Sequence, residues 1–223
     1  MYKNPYVKIE PSIKKPYTEV YLVRHCHPDY DLEKKVGSYD MPLSKIGLKQ
    51  RRLLTKKLLK MSFNAIYSSG LKRAQETAEE YVKKTGMNLI VDYRLDEIDW
   101  VHWHKIKYFN MTEQTRKKNL ASHRILDKQL DKMQIVARRT LADICRSHRG
   151  KKIIIFTHGN FIRALITGIL NADIIGFLSL EIFQSSVSKF IVDSDGYVKI
   201  SFVNDASHLP MIPLKDYFIT LAD

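Results

Sequence analysis

The feature that most constrains this chain is an apolar run that stops abruptly on two basic residues: Val20-Tyr21-Leu22-Val23-Arg24-His25. A second run of the same kind follows much later, Ile153-Ile154-Ile155-Phe156-Thr157-His158-Gly159. The β-branched and aromatic content of both runs marks them as strands. Unbroken apolar character fits strands of a parallel sheet covered on both faces. Propensity does not explain why each ends in a histidine. In open α/β sheets, ligands bind beyond the carboxyl ends of the strands, so two strand-end histidines predict one shared site.

The stretches between them alternate in period. Ser44 reads as an N-cap, and Ile46, Leu48, Leu53, Leu54, Leu58 and Leu59 form a helical stripe to about Met61. A short strand over 64–68 leads into a helix from Ser69 to about Lys84, closed by Gly86. A third strand covers 89–92. A long amphipathic helix runs from Leu126 to Gly150 along Leu130, Met133, Ala137, Leu141, Ile144 and Cys145. Residues 160–170 are helical, and Asp195-Gly196 turns a hairpin between strands 186–192 and 197–203. Cys26 to Leu43, broken by Pro28, Gly37 and Pro42, reads as a long loop suited to substrate contacts. Residues 100–123, with Trp100, Trp103, His102 and His104, have no clean period and read as a cap over the site. The tail from Asn204 reads as mostly irregular. This order predicts an α/β fold with a mostly parallel sheet and an antiparallel edge strand. It predicts a single domain over 19–223, preceded by a proline-bearing N-terminal extension over 1–18.

Composition excludes several classes. The net charge is +13, carried mostly by scattered basic pairs such as Arg51-Arg52 and Lys56-Lys57. These read as a solvated surface whose positive field speeds encounter with anionic substrates. No nucleic-acid recognition motif accompanies them. Two cysteines, Cys26 and Cys145, make neither a disulfide framework nor a zinc site. No signal-peptide or membrane-spanning pattern is present, so the expectation is a soluble, cytoplasmic protein. No cofactor or metal is expected, and the oligomeric state is not legible.

Four predicted strands each lead to ionisable residues: Arg24 and His25, then Arg73, then Glu97, then His158 with Gly159. Two arginines, two histidines and one carboxylate make a cationic pocket with a single acid, which suits a phosphoryl group. His158 and Gly159 stand at a helix N-terminus, which also favours an anion. A neutral histidine can act as nucleophile, the cations can spread the transferring charge, and Glu97 can carry the proton for the leaving oxygen. Cys26 beside this pocket is either a thiol acidified by its cationic surroundings or a packing substitution, the second being favoured. His27, His102 and His104 could line the pocket or bind a metal, and read instead as polar cap residues with no fourth ligand at sensible spacing.

These residues resemble the histidine phosphatase superfamily, in its phosphoglycerate mutase-like branch. The resemblance covers about Glu19 to Leu209. It rests on Leu22-Val23-Arg24-His25, on Asp40-Met41-Pro42-Leu43-Ser44 with Gly47, and on Ser68-Ser69 through Arg73 to Ala78. It continues in Leu95-Asp96-Glu97, in Thr157-His158-Gly159 with Arg163, and in Asn204 with Ser207-His208-Leu209. The resemblance implies a three-layer α/β/α sandwich. It implies that His25 becomes a phosphohistidine, that Arg24, Arg73 and His158 hold the phosphate, and that Glu97 is the proton donor and later the base. Departures are Cys26 where the family has Gly or Ala, Pro28 where a hydroxyl is common, and Trp100-Val101-His102-Trp103-His104-Lys105 where the family has two glycines and a glutamate. The implied activity is metal-independent hydrolysis of a small phosphomonoester. The alternatives are a phosphoglycerate mutase and a non-catalytic phosphate-binding or interaction module of the same fold. The short segment between Glu97 and His158 favours hydrolysis.

Overall fold

The structure, a computed structural model, describes residues 14–98, 112, 114 and 124–210, with side chains from 128 onward in the helix that begins at 124. Most of the expected cap over 100–123 therefore lies outside the described residues, as do 1–13 and 211–223.

Six strands form one sheet: β1 (Thr18–Arg24), β2 (Ala65–Ser68), β3 (Leu89–Val91), β4 (Lys152–Thr157), β5 (Val187–Val192) and β6 (Val198–Asp205). Their spatial order is β3-β2-β4-β1-β5-β6. The first four are parallel, and β5 and β6 add an antiparallel hairpin at one edge. Arg24 lies opposite Thr157 and Ser68 opposite Phe156, so the carboxyl ends of β1, β4 and β2 share one edge.

Side chains alternate across a strand, and both faces here are covered. Val20, Leu22, Ile153 and Ile155 pack against α4 (Arg124–Ser147), α5 (Gly159–Leu170) and α6 (Ile174–Ser179). Tyr21, Val23, Ile154 and Phe156 pack against α2 (Lys45–Leu58) and α3 (Lys72–Thr85). This three-layer sandwich explains why β1 and β4 read as continuous apolar runs rather than alternating ones. The expected α4 stripe is buried throughout: Leu130, Met133, Ala137, Leu141, Ile144 and Cys145.

Two helices correct the sequence reading. The expected loop over 26–43 contains α1 (Tyr30–Val36). It buries no residue, so it has no apolar stripe to reveal it. What favours it is charge order, with Asp31 and Glu33 in the first turn and Lys34 and Lys35 in the last. The six-residue α6 is started by Asp173, whose Oδ1 accepts from Ile175 and Gly176 N–H. α3 begins at Lys72 rather than Ser69, because Ser69 and Gly70 form the turn out of β2. α2 does start at Ser44, whose Oγ accepts from Gly47 N–H at 3.1 Å.

Candidate active site

The strand ends bring the five predicted ionisable groups together. His25, the residue after β1, is 3% exposed, and its backbone N–H donates to Thr157 O at 2.9 Å. Its Nδ1 lies 2.7 Å from Cys26 O. A carbonyl can only accept, so Nδ1 carries the proton and Nε2 presents its lone pair. Arg73 Nε donates to that Nε2 at 3.3 Å, and Arg73 Nη1 donates to Ser38 O at 2.7 Å. The Arg73 fork thus ties the mouth loop to the imidazole. Arg73 itself is buried near the start of α3.

His158 caps α5 and is fully buried, with its ring centroid 5.1 Å from that of His25. Its Nε2 shares a hydrogen bond of 2.7 Å with Ser69 Oγ, while its Nδ1 is buried without a hydrogen-bond partner. Both imidazoles are held well below the usual histidine pKa, first by burial and then by neighbouring positive charge: Arg73 and Arg24 for His25, and His25 followed by the two arginines for His158. They are therefore neutral near pH 7.

Arg24 turns toward α5. Its Nη1 donates to Ile182 O, and its Nε is buried without a partner. A Cβ added to Gly159 would sit 3.2 Å from that Nε. Glycine at 159 thus makes room for the guanidinium, a role the sequence reading did not assign beside its phosphate-binding one. Glu97 also meets α5, where its Oε1 accepts from Asn160 N–H at 3.1 Å. Burial raises its pKa above the ordinary carboxylate value, against the opposing pull of Arg24, Arg73 and that N–H. It is the one carboxyl of the set, and the upward shift makes it a better proton holder than an ordinary carboxylate. Thr157 Oγ1 donates to Leu95 O at 2.7 Å and fixes the turn that carries Glu97.

Sequence reasoning missed the groups that position these. Cys26 N–H donates to Thr77 Oγ1 at 3.0 Å, and Thr77 Oγ1 donates to Arg73 O at 2.7 Å. Ser185, at φ 66°, donates its N–H to both Arg24 O and His25 O, at 3.1 and 3.2 Å. Its Oγ shares a 2.9 Å hydrogen bond with His208 Nε2. The backbone behind His25 is thus clamped by α3 on one side and by the C-terminal hairpin on the other. The Asn204, Ser207 and His208 pattern was the available signal for that clamp. The acidified-thiol reading of Cys26 is overturned: the side chain is fully buried and burial pushes its pKa up to about 12. His27 sits at the mouth, with Nδ1 2.9 Å from Ser44 Oγ and its ring edge-on to Tyr30. His102 and His104 lie outside the described residues. Among the described residues, no three His, Cys, Asp or Glu side chains are grouped to hold a metal ion.

The model of the "Histidine phosphatase superfamily (branch 1)" matches residues 20–205. A "Metal-independent phosphoserine phosphatase" of Arabidopsis thaliana is 26% identical over 92% of this chain and 87% of its own length. A "Phosphoglycerate mutase-like protein 4" of the same plant is 30% identical over 67% of this chain and 70% of its own. Among solved structures, a phosphoserine phosphatase mutant from Entamoeba histolytica in complex with phosphoserine superposes with TM-score 0.70 at 22% identity. That match covers 86% of this chain and 100% of that one.

Proposed function

Because the chain belongs to the histidine phosphatase superfamily (branch 1), we propose that it hydrolyses a small phosphomonoester through a phosphohistidine on His25. One observation carries the reading. The Cys26 carbonyl fixes the His25 proton on Nδ1, which leaves an unprotonated Nε2 beside the Arg73 fork and the second buried imidazole.

In this mechanism a phosphoryl group takes over the Arg73 N–H that rests on His25 Nε2. Arg24, Arg73 and His158, with the Gly159 N–H at the start of α5, bind the non-bridging oxygens. The Nε2 lone pair forms a bond to phosphorus as the bond to the leaving oxygen breaks, and Glu97 supplies that oxygen with a proton. Glu97, now a carboxylate, takes a proton from water. The water oxygen attacks phosphorus and returns the electron pair to Nε2. The positive charges meet the developing charge where it appears, which is most of what phosphoryl transfer asks of a protein. The raised pKa of Glu97 suits its two roles. Phosphoserine is the first substrate to assay, since relatives are named for it.

The test is hydrolysis of an aryl phosphate in excess chelator, wild type beside His25→Ala. The expected outcome is turnover that survives the chelator and falls at least about a thousandfold in the variant, roughly the cost of removing a catalytic nucleophile. Turnover by His25→Ala at the wild-type rate would sink the assignment. Interconversion of phosphoglycerates without phosphate release would favour the mutase alternative.

A further inference from the structure

We propose that the outward face of α2 docks on an anionic lipid bilayer. In the sequence the basic residues of this helix read as pairs. The fold splits those pairs. Arg51 turns inward to Glu79 at 2.6 Å, and Lys57 turns to Asp205 at 2.5 Å. Their neighbours Arg52 and Lys56 turn outward, in line with Lys45 and Lys49, and Lys60 continues the line just past the helix end. At 3.6 residues per turn, positions 45, 49, 52 and 56 fall within an arc of about 60° along about 17 Å of helix. All five residues are exposed, and none has an acidic partner among the described residues. The helix itself contains no Asp or Glu.

Apolar side chains flank this stripe. Leu48 is 43% exposed and Leu59 45%, eleven positions apart on one flank, with Ile46 at 40% on the other. A row of unpaired cations bordered by leucines matches a surface that offers negative headgroups over a hydrocarbon interior. The opposite face of α2 is committed to the core through Gly47, Gln50, Leu54 and Leu58. No partner can therefore wrap the helix as it would a free amphipathic peptide. The stripe carries no aromatic side chain to stack on bases, which disfavours single-stranded nucleic acid. A flat, anionic, partly apolar surface is the partner that uses both halves of the feature.

The test is co-sedimentation of the full chain with vesicles of phosphatidylcholine, with and without phosphatidylserine. Binding is expected only with phosphatidylserine and should weaken with salt. Each neutralised cation of the stripe should lower the partition about fivefold. The combined variant Lys45→Gln, Lys49→Gln, Arg52→Gln, Lys56→Gln, Lys60→Gln should lose binding. An equal charge change at Lys83, Lys128, Lys132, Arg139 and Arg149, all exposed elsewhere, should retain most of it. Circular dichroism melting checks that both variants fold. Single reversals Lys49→Glu and Lys56→Glu give the same comparison with smaller change. Leu48→Ser with Leu59→Ser should weaken the binding that survives in high salt. No binding to anionic vesicles overturns the proposal. Equal loss in both charge sets also overturns it, because net charge alone then suffices, and so does retention of a polynucleotide but not of vesicles.

Discussion

Arg24 and Gly159 show how closely this site depends on single atoms. The guanidinium lies where a methyl group on residue 159 would come within 3.2 Å. Gly159→Ala should therefore separate stability from activity. Gly159 is the first residue of α5, where alanine gains less over glycine than the roughly 0.5–1 kcal/mol of a helix interior, so thermal unfolding should change little. Displacing Arg24 should lower kcat/KM by about tenfold to a hundredfold, the usual cost of a misplaced binding group. A variant that keeps full activity would mean that Arg24 does not hold substrate. The buried histidines give a pH prediction with a definite sign. His25, His158 and His208 are all shifted below 6.5 in the folded protein, His208 to about 4. The unfolded chain binds their protons first, so their stabilisation is complete above pH 6.5 and is lost as pH falls toward 4. Melting temperature followed across that window should fall with pH, and His208→Asn should flatten the slope. Asp205, lowered to about 2 from 3.8, adds a further loss below that window.

α2 is held by its first turn as much as by its leucines. A Cβ on Gly47 would lie 2.1 Å from His27 O, a backbone atom that cannot swing aside. Gly47→Ala should force the helix from the 26–29 segment and destabilise the protein by about 1–3 kcal/mol, as overpacking does. Chemical denaturation measures this, and an unchanged midpoint would show that the two segments move apart freely. What the sequence made legible follows from the same physics. α4 was visible because Leu130, Met133, Ala137, Leu141 and Ile144 are both periodic and buried. α1 was not, because it buries nothing and its favourable feature is a charge order that any polar loop can share. The candidate site was legible because His25 and His158 end apolar runs where propensity gives no reason for them. The positioning roles of Ser69, Thr77 and Ser185 were hidden. Each acts through hydrogen bonds to residues distant in sequence, and a serine or threonine in sequence carries no mark of that. Cys26 left two readings open because its cationic neighbours are plain in the sequence and its burial is not; the favoured one, a packing substitution, fits its full burial.

The charge of the whole protein should be felt before any contact is made. With a net charge of +13, the field attracts phosphomonoester dianions, and kcat/KM should fall as salt shortens the Debye length from about 30 Å at 0.01 M to about 3 Å at 1 M. A kcat that stays constant over the same range would place the effect on encounter, whereas a parallel fall in kcat would place it in the site. The topology has another consequence. Among the described residues β1 is the earliest strand, yet its neighbours in the sheet are β4 and β5. As the polypeptide leaves the ribosome, β1 must wait for well over a hundred further residues before either partner exists. Until then its apolar side chains and both rows of amide groups are without their sheet partners. The clamp on the His25 backbone comes later still, because Ser185 and His208 belong to the last part of the fold to be translated. Birth order and assembly are thus inverted in this protein: the segment carrying His25 is made before its sheet partners and its clamp, so a nascent chain has no finished candidate site until the hairpin has closed.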